Sequence, residues 1–320
     1  MTRAVIVFDR VTKTFPNAAR PSVEETSLEI EEGSFVAIVG ASGSGKTTLL
    51  KMVNRIHDPS SGRVQVAGED VTAVPVNALR RRIGYVIQQV GLFPHQTVEA
   101  NIATVPGILG WDKGAIDQRI DFLLDLVHLP AAEYRKRYPR QLSGGQQQRV
   151  GLARAMAGNP DILLMDEPFG AIDAITRSSL QDELLQIQQK LNKTILFVTH
   201  DIQEALKLAD KIIIMNEGRV QQYDTPLEIL LRPANEFVRR LVNSDDVLQR
   251  LSLIQAQSIM TPLDGEVRGE ARVSPHTHLK DVLQVILKSD LDSVVVEDAQ
   301  GVPLGRISLH QLKIREEAAR

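Results

Sequence analysis

Cysteine is absent from all 320 residues. That excludes disulfides and thiolate-held metals, and it fits a reducing compartment. Long apolar runs are missing too. The first one, Ala4 to Phe8, stops at Asp9; it is too short for the core of a signal peptide and reads as a strand. No stretch approaches the roughly 18 apolar residues that cross a bilayer. Work at a membrane would therefore require other chains to do the spanning. No charge of one sign dominates. The 37 Lys and Arg against 40 Asp and Glu leave a net −3, without the basic footprint of a nucleic-acid binder. Internal repeats and low-complexity tracts are lacking as well.

What is present is an ordinary globular composition, 43% hydrophobic and 24% charged, on a chain long enough for more than one domain. Phe35 to Val39 is a continuous β-rich run, expected to be a strand buried on both faces. Ile162 to Met165 and Thr194 to Val198 are two more. Lys211 to Met215, a turn at Asn216-Glu217-Gly218 and Arg219-Val220 read as a hairpin. Leu180, Leu184, Ile187 and Leu191 recur at helical spacing between the second and third of these strands. Strand and helix alternate as in an α/β core with a largely parallel sheet. Ile116, Ile120, Leu123, Leu124 and Val127 mark a helix in an insert spanning about 90–155, which includes the basic loop Arg135-Lys136-Arg137. The first domain is expected to end near 240, with a helical linker over 241–257. The tail, 258–320, has its own small α/β pattern. Leu279, Val282, Leu283, Ile286 and Leu287 form an amphipathic helix, Ser293 to Glu297 a strand, Asp298 to Gly301 a turn and Leu304 to Ser308 the return. A unit this small is expected to pair with a second copy.

Gly40-Ala41-Ser42-Gly43-Ser44-Gly45-Lys46-Thr47 satisfies the phosphate-loop pattern and sits between a strand and a helix, as that chemistry requires. Glycines let backbone N–H groups turn inward around phosphate oxygens, and the helix offers its positive end to the same anion. Lys46 places a charge on the β- and γ-phosphates, and Thr47 supplies a hydroxyl for Mg²⁺. The strand Ile162 to Met165 runs out into Asp166-Glu167. Standing alone, that acidic pair would read as a helix cap. Downstream of a phosphate loop, Asp166 reads as a Mg²⁺ ligand and Glu167 as the general base for an attacking water. A second glycine-rich helix start, Leu142-Ser143-Gly144-Gly145-Gln146, is also suited to an anion. Two such helix ends in one chain suggest a nucleotide held between two subunits.

These residues resemble the ATP-binding cassette (ABC) family over roughly Val5 to Arg240. Gly40–Thr47 matches its Walker A loop, Ile162–Asp166 its Walker B strand with Glu167 as catalytic glutamate, and Leu142–Gln146 its signature loop. Ala171-Ile172-Asp173 is similar to the D-loop, with Ile172 where Leu is usual. His200 matches the switch histidine that senses the γ-phosphate. Gln88 matches the Q-loop glutamine, which links Mg²⁺ and water to a transmembrane partner. Phe15 falls where an aromatic ring, more commonly Tyr, stacks on adenine. The resemblance implies a P-loop cassette with a RecA-like core, an antiparallel β part and a helical subdomain. It implies a head-to-tail homodimer that binds ATP and Mg²⁺ between Gly40–Thr48 of one copy, Thr48 included, and Ser143–Gln146 of the other.

The stretch from Ile83 to His95, with Asn101 to Pro106 and Trp111, is similar to importer subunits for osmoprotectants such as glycine betaine, choline and carnitine. Ser258 to Pro262, Val273-Ser274-Pro275, the helix from Leu279 and the strand at Val294 resemble a single cystathionine-β-synthase (CBS) unit, either regulatory or purely dimerising. The resemblance implies a peripheral ATPase on the cytoplasmic face of the membrane, docked on permease subunits and served indirectly by a substrate-binding protein. That binding protein would carry the aromatic rings that recognise a quaternary ammonium. Two alternatives stand beside this reading: an importer ATPase for another solute, such as an amino acid, sugar or metal chelate, and a soluble ABC-type ATPase of DNA repair or translation. The neutral charge argues against the latter.

Overall fold

The structure is a computed structural model and describes residues 3–88, 91–170, 172–243, 246–263, 271–289 and 291–312. Its contacts divide the chain into Met1–Tyr223 and Asp224–Arg320.

The first unit opens with β1 (Ala4–Lys13), β2 (Val23–Glu31), β3 (Phe35–Gly40), α1 (Lys46–Val53), β4 (Ser61–Val66) and β5 (Glu69–Asp70). Four of these strands form an antiparallel sheet in the order β2-β1-β4-β5. β2 shows why it has one dry face. Val23, Thr26, Leu28 and Ile30 are buried while Glu25, Ser27 and Glu29 face outward, the alternation expected of a half-covered strand. β3 is different: all six of its residues are buried. It lies inside a six-stranded sheet with β6 (Ile83–Val86), β7 (Ile162–Asp166), β8 (Thr194–Val198), β9 (Lys211–Asn216) and β10 (Arg219–Asp224), in the order β10-β9-β3-β8-β7-β6. The pairs β3–β8, β3–β9, β7–β8 and β6–β7 are parallel. The expected hairpin is the β9–β10 edge, turning at Gly218 with φ +82°.

Between these strands lie α2 (Val76–Arg81), α3 (Val98–Ile108), α4 (Lys113–Leu126), α5 (Ala131–Tyr134), α6 (Gly144–Met156), α7 (Ala174–Leu191) and α8 (Ile202–Leu208). α3 to α6 are the expected helical insert. Ile120, Leu123, Leu124 and Val127 are buried there. Arg135 ties the insert together by reaching Glu99, Asp117 and Asp121 at once. The basic loop is thus satisfied by carboxylates of its own unit.

The second unit holds α9 (Pro226–Leu231), α10 (Glu236–Val242), α11 (Val247–Leu251), β11 (Ala271–Val273), α12 (Leu279–Ser289), β12 (Ser293–Glu297) and β13 (Pro303–Ser308). Its sheet runs β11-β12-β13, parallel then antiparallel. Asp298 Oδ1 closes the β12–β13 turn by accepting from Gln300 N and Val302 N. Two expectations shift. The division by contacts falls before α9, ahead of the expected boundary at 240. The segment expected as a linker over 241–257 also puts Leu251 and Ala256 into the tail's apolar core, where they are 1% and 0% exposed. On α12, Leu279, Val282 and Ile286 face that core while Leu287 is 68% exposed. An 11-residue helix over a three-stranded sheet buries one narrow stripe, and Leu287 falls outside it. Glu316 to Arg320 lie outside the described residues.

Leu251→Ala is therefore expected to destabilise the tail by about 2–4 kcal/mol. Leu287→Ala should change it by less than about 0.5 kcal/mol. Amide hydrogen exchange at β12 and β13 reads both; equal protection in the two variants would contradict the placement of Leu251.

Candidate functional site

A parallel sheet sends every strand's C-terminal end to one edge, and this sheet gathers four candidate segments there. β3 ends at Gly40 and opens the phosphate loop. β8, its neighbour, ends at Val198 and leads to His200. β7 ends at Asp166, and β6 leads to Gln88. Register keeps the ends level: Ile38 pairs with Val198, Val198 with Asp166, and Met165 with Val86.

The loop from Gly40 to Thr48 wraps a cavity of about 420 Å³ lined by Ser22, Ser42, Gly43, Ser44, Gly45, Lys46, Thr47, Thr48, Glu167 and His200. Gly45 is the residue before α1, with φ +99°. A Cβ there would stand 2.2 Å from the Ser22 carbonyl oxygen. A Cβ at Gly40 would stand 2.0 Å from the Met215 carbonyl oxygen. Side chains are thus excluded where the loop passes closest to its own fold. Ser44 Oγ is buried without a hydrogen-bond partner among the described residues, a polar atom suited to an incoming oxygen. Lys46 Nζ donates to the carbonyls of Gly40 (2.8 Å) and Ala41 (2.9 Å). Burial pushes this ammonium below its ordinary range, against the opposing pull of Glu167 and Asp166.

Thr47 Oγ1 donates to Asp166 Oδ1 at 3.0 Å, and Lys51 Nζ stands 3.6 Å from Asp166 Oδ2. Beside them, Glu167 adopts φ +47°, a left-handed conformation that costs a non-glycine residue about 1–2 kcal/mol. Two main-chain bonds hold it: Glu167 N donates to Val198 O at 2.9 Å, and Gly170 N donates to Glu167 O at 3.2 Å. The turn aims the carboxylate between two partners. Gln88 Nε2 donates to Glu167 Oε2 at 2.9 Å, and His200 Nδ1 lies 3.4 Å from the same oxygen. Gln88, Glu167 and His200, candidates from three segments far apart in sequence, thus meet at one atom.

Other candidates lie elsewhere. Phe15 is half-buried, meets His57 edge-on at 5.1 Å and carries Lys13 Nζ 5.1 Å over its ring. It is not among the residues that line the cavity. Ser143, Gly144, Gly145 and Gln146 start α6 and form a reciprocal cap: Ser143 Oγ accepts from Gln146 N, and Gln146 Oε1 accepts from Ser143 N. They too are absent from the cavity wall. A Cβ at Gly145 would meet Thr176 Cγ2 at 2.5 Å, whereas at Gly144 it would meet nothing within 4 Å. The chain's own packing explains the first glycine and leaves the second to whatever approaches from outside. Of the three residues resembling a D-loop, Ala171 lies outside the described residues, Ile172 is buried, and Asp173 caps α7 by accepting from Thr176 N.

Two residues of the site have no place in the sequence reading: Lys51, beside Asp166, and Ser22, on the cavity wall. Lys51 follows Thr47 by one helical turn, a spacing that would have found it. Ser22 enters by its place beside Gly45, for which the sequence holds no signal.

Among the described residues no cluster of three or more acidic, histidine or cysteine side chains forms a metal cage. Thr47 and Asp166 nevertheless present adjacent hard oxygens. That donor set fits Mg²⁺, which binds one or two protein ligands together with substrate phosphates.

The ABC transporter family profile matches residues 23–170. The chain is 44% identical to the glycine betaine uptake system ATP-binding protein YehX of Escherichia coli, over 97% of this chain and 99% of that protein. It is 44% identical to the osmoprotectant import ATP-binding protein OsmV of Salmonella typhimurium, over 97% and 80%. With the glycine betaine/carnitine/choline transport ATP-binding protein OpuCA of Bacillus subtilis the identity is 43%, over 96% and 79%. Among solved structures, the dimeric post-hydrolysis state of the ATP-binding cassette MJ0796 bound to ADP and Pi superposes with a TM-score of 0.62. It is 32% identical and covers 69% of this chain and 98% of that one.

Gly43 and Gly45 give the loop a graded test. Gly43→Ala, at φ +76° in open space, carries only the left-handed strain of about 1–2 kcal/mol. Gly45→Ala must also displace the Ser22 carbonyl. ATP titration calorimetry should show the larger loss of affinity for Gly45→Ala; the reverse order would contradict the close approach.

Proposed function

The chain belongs to the ATP-binding subunits of ABC transporters, and from that premise we propose that it drives import of quaternary-amine osmoprotectants such as glycine betaine, choline or carnitine. The observation that carries the hydrolytic half is the meeting of Gln88, Glu167 and His200 beside the phosphate loop. The amine half is supported by near full-length similarity to ATP-binding proteins named for glycine betaine and osmoprotectant import.

In this reading the loop N–H groups from Gly40 to Thr48 cradle the β- and γ-phosphates. Lys46, released from the loop carbonyls, puts its charge on the same oxygens. Thr47 and Asp166 would hold Mg²⁺, which when bound neutralises charge developing on the phosphates. Glu167 takes a proton from the attacking water, and Gln88 holds the carboxylate in line. His200 presents its ring toward the γ-phosphate from an exposed turn, so it can report whether that phosphate is present. Phe15 remains the aromatic assigned to adenine.

Ser143 to Gln146 complete the site from a second copy. The open space over Gly144 supports a close approach there, and MJ0796, the solved relative of similar fold, was described as a dimer. ATP favours the closed pair because only that pair makes both sets of contacts. Among the described residues no helix is long and apolar enough to cross a membrane, so permease subunits would span it and this chain would sit peripherally on the cytoplasmic face. A cavity of about 350 Å³ beside the segment leading to Gln88 is where a permease element would dock. Arg80, Arg81, Tyr85, Phe93, Val105 and Arg154 line it. Residues 258–320 are read as a single CBS-like unit, regulatory or dimerising.

The experiment is ATP hydrolysis by the full chain reconstituted with its permease and binding-protein partners, with and without betaine, choline and carnitine. Stimulation by one of these amines is expected. An active complex that responds to none of them would move the substrate to another class and leave the ATPase assignment standing.

A further inference from the structure

His200 is largely exposed, its side chain 66% accessible, with Nδ1 3.4 Å from Glu167 Oε2. The turn that carries so exposed a ring has the larger part in setting its place. That turn is bracketed by Thr199, 2% exposed. Thr199 N donates to Ile38 O at 3.1 Å, tying the residue to β3. Its hydroxyl does two things at once: it accepts from Asp201 N at 3.0 Å and donates to Glu204 Oε2 at 2.6 Å. The backbone before His200 is therefore held by the Thr199 N–H and the backbone after it by the Thr199 hydroxyl, whose orientation is set by Glu204.

Glu204 is 6% exposed on α8. Its other oxygen accepts from Gln181 Nε2 at 3.3 Å and lies 4.0 Å from Arg177 Nε. Arg177 and Gln181 are one turn apart on α7. Arg177 also donates from Nη2 to the carbonyl of Ile172 at 2.9 Å and stands 4.0 Å from Asp201 Oδ2. One buried carboxylate is thus joined on one side to the turn bearing His200, and through Arg177 on the other to the Ile172–Asp173 segment before α7. A fold has no need of a buried carboxylate at this position, because an apolar residue would fill it without the desolvation cost. Burial does push the Glu204 carboxyl above its ordinary range, and the Thr199 hydroxyl opposes that rise most strongly.

We propose that Glu204 is a positioning residue for hydrolysis, holding the His200 turn through Thr199 and coupling it through Arg177 to the Ile172–Asp173 segment. The proposal rests on the reading of His200 as a residue that acts on the γ-phosphate. Its consequence is that losing the anchor lets the His200 ring drift while the phosphate loop, built on β3 and α1, stays intact. Nucleotide binding and turnover should then separate.

The test is steady-state ATP hydrolysis by the full-length chain, with MgATP affinity and melting temperature measured on the same preparations. The variants are Thr199→Val, Thr199→Ser, Glu204→Ala and His200→Ala. Misplacing a reacting group by about 1 Å costs up to on the order of a hundredfold in rate. Thr199→Val and Glu204→Ala are therefore expected to lower kcat by about ten- to a hundredfold while KM and MgATP affinity stay within about threefold, a factor worth under 1 kcal/mol. Thr199→Ser keeps the hydroxyl and should restore most of kcat. A Thr199→Val protein with unaltered kcat, beside an impaired His200→Ala protein, would overturn the positioning role alone. Equal damage from Thr199→Ser and Thr199→Val, or a rise in KM matching the fall in kcat, would also overturn it. An unimpaired His200→Ala protein would overturn the reading of His200 and the proposal with it.

Discussion

In a parallel sheet the hydrogen-bond ladder aligns strand ends as well as strand bodies. Here the register joining Ile38 to Val198 and Val198 to Asp166 brings the phosphate loop, the His200 turn and the Asp166-Glu167 pair out at one edge. Everything chemical depends on that alignment. A one-residue slip of β7 would exchange its inward and outward side chains and carry Glu167 away from Gln88. Because β3, β7 and β8 are buried along their whole length, register is enforced by packing on both faces.

The same edge stores local strain. Glu167 holds a left-handed backbone that the neighbouring strand secures through the Val198 carbonyl, and the result is a carboxylate turned back toward Gln88 and His200. Backbone strain of this kind persists only where surrounding bonds over-determine it, and it collects at sites where geometry matters more than stability. The loop shows a related economy. Lys46 rests on the loop's own carbonyls, so the ammonium that burial disfavours is stabilised by oxygens it can exchange for phosphate oxygens at little electrostatic cost.

Much of this was legible in the sequence because the signals are chemical as well as periodic. The phosphate loop has fixed positions for glycine, lysine and threonine. The apolar runs at β3, β7 and β8 announce strands covered on both faces, and the helical insert shows its stripe from Ile116 to Val127. Gln88 and His200 were legible only by resemblance to a family, since nothing in their local sequence says that both reach Glu167. Ser22 left no trace, because it contributes a carbonyl by position rather than a side chain by type. Glu204 carries no local signal, because its burial and its bond to Thr199 come from the fold. The tail is less legible. Leu287 fits the apolar period of α12 yet lies exposed, and Leu251 falls within the expected linker although it packs into the tail core. Periodicity identifies a helix face, but the width of the neighbouring sheet decides how much of that face is covered.

Glu167, held at the sheet edge by Gln88 and His200, is the proposed base for ATP hydrolysis. The most direct measurement is single-turnover hydrolysis by Glu167→Gln beside ATP binding and dimer formation by the same protein. Hydrolysis should fall by at least about a hundredfold, the usual scale for removing a general base. ATP should still bind and hold two copies together. Hydrolysis by Glu167→Gln at the unsubstituted rate would contradict that role.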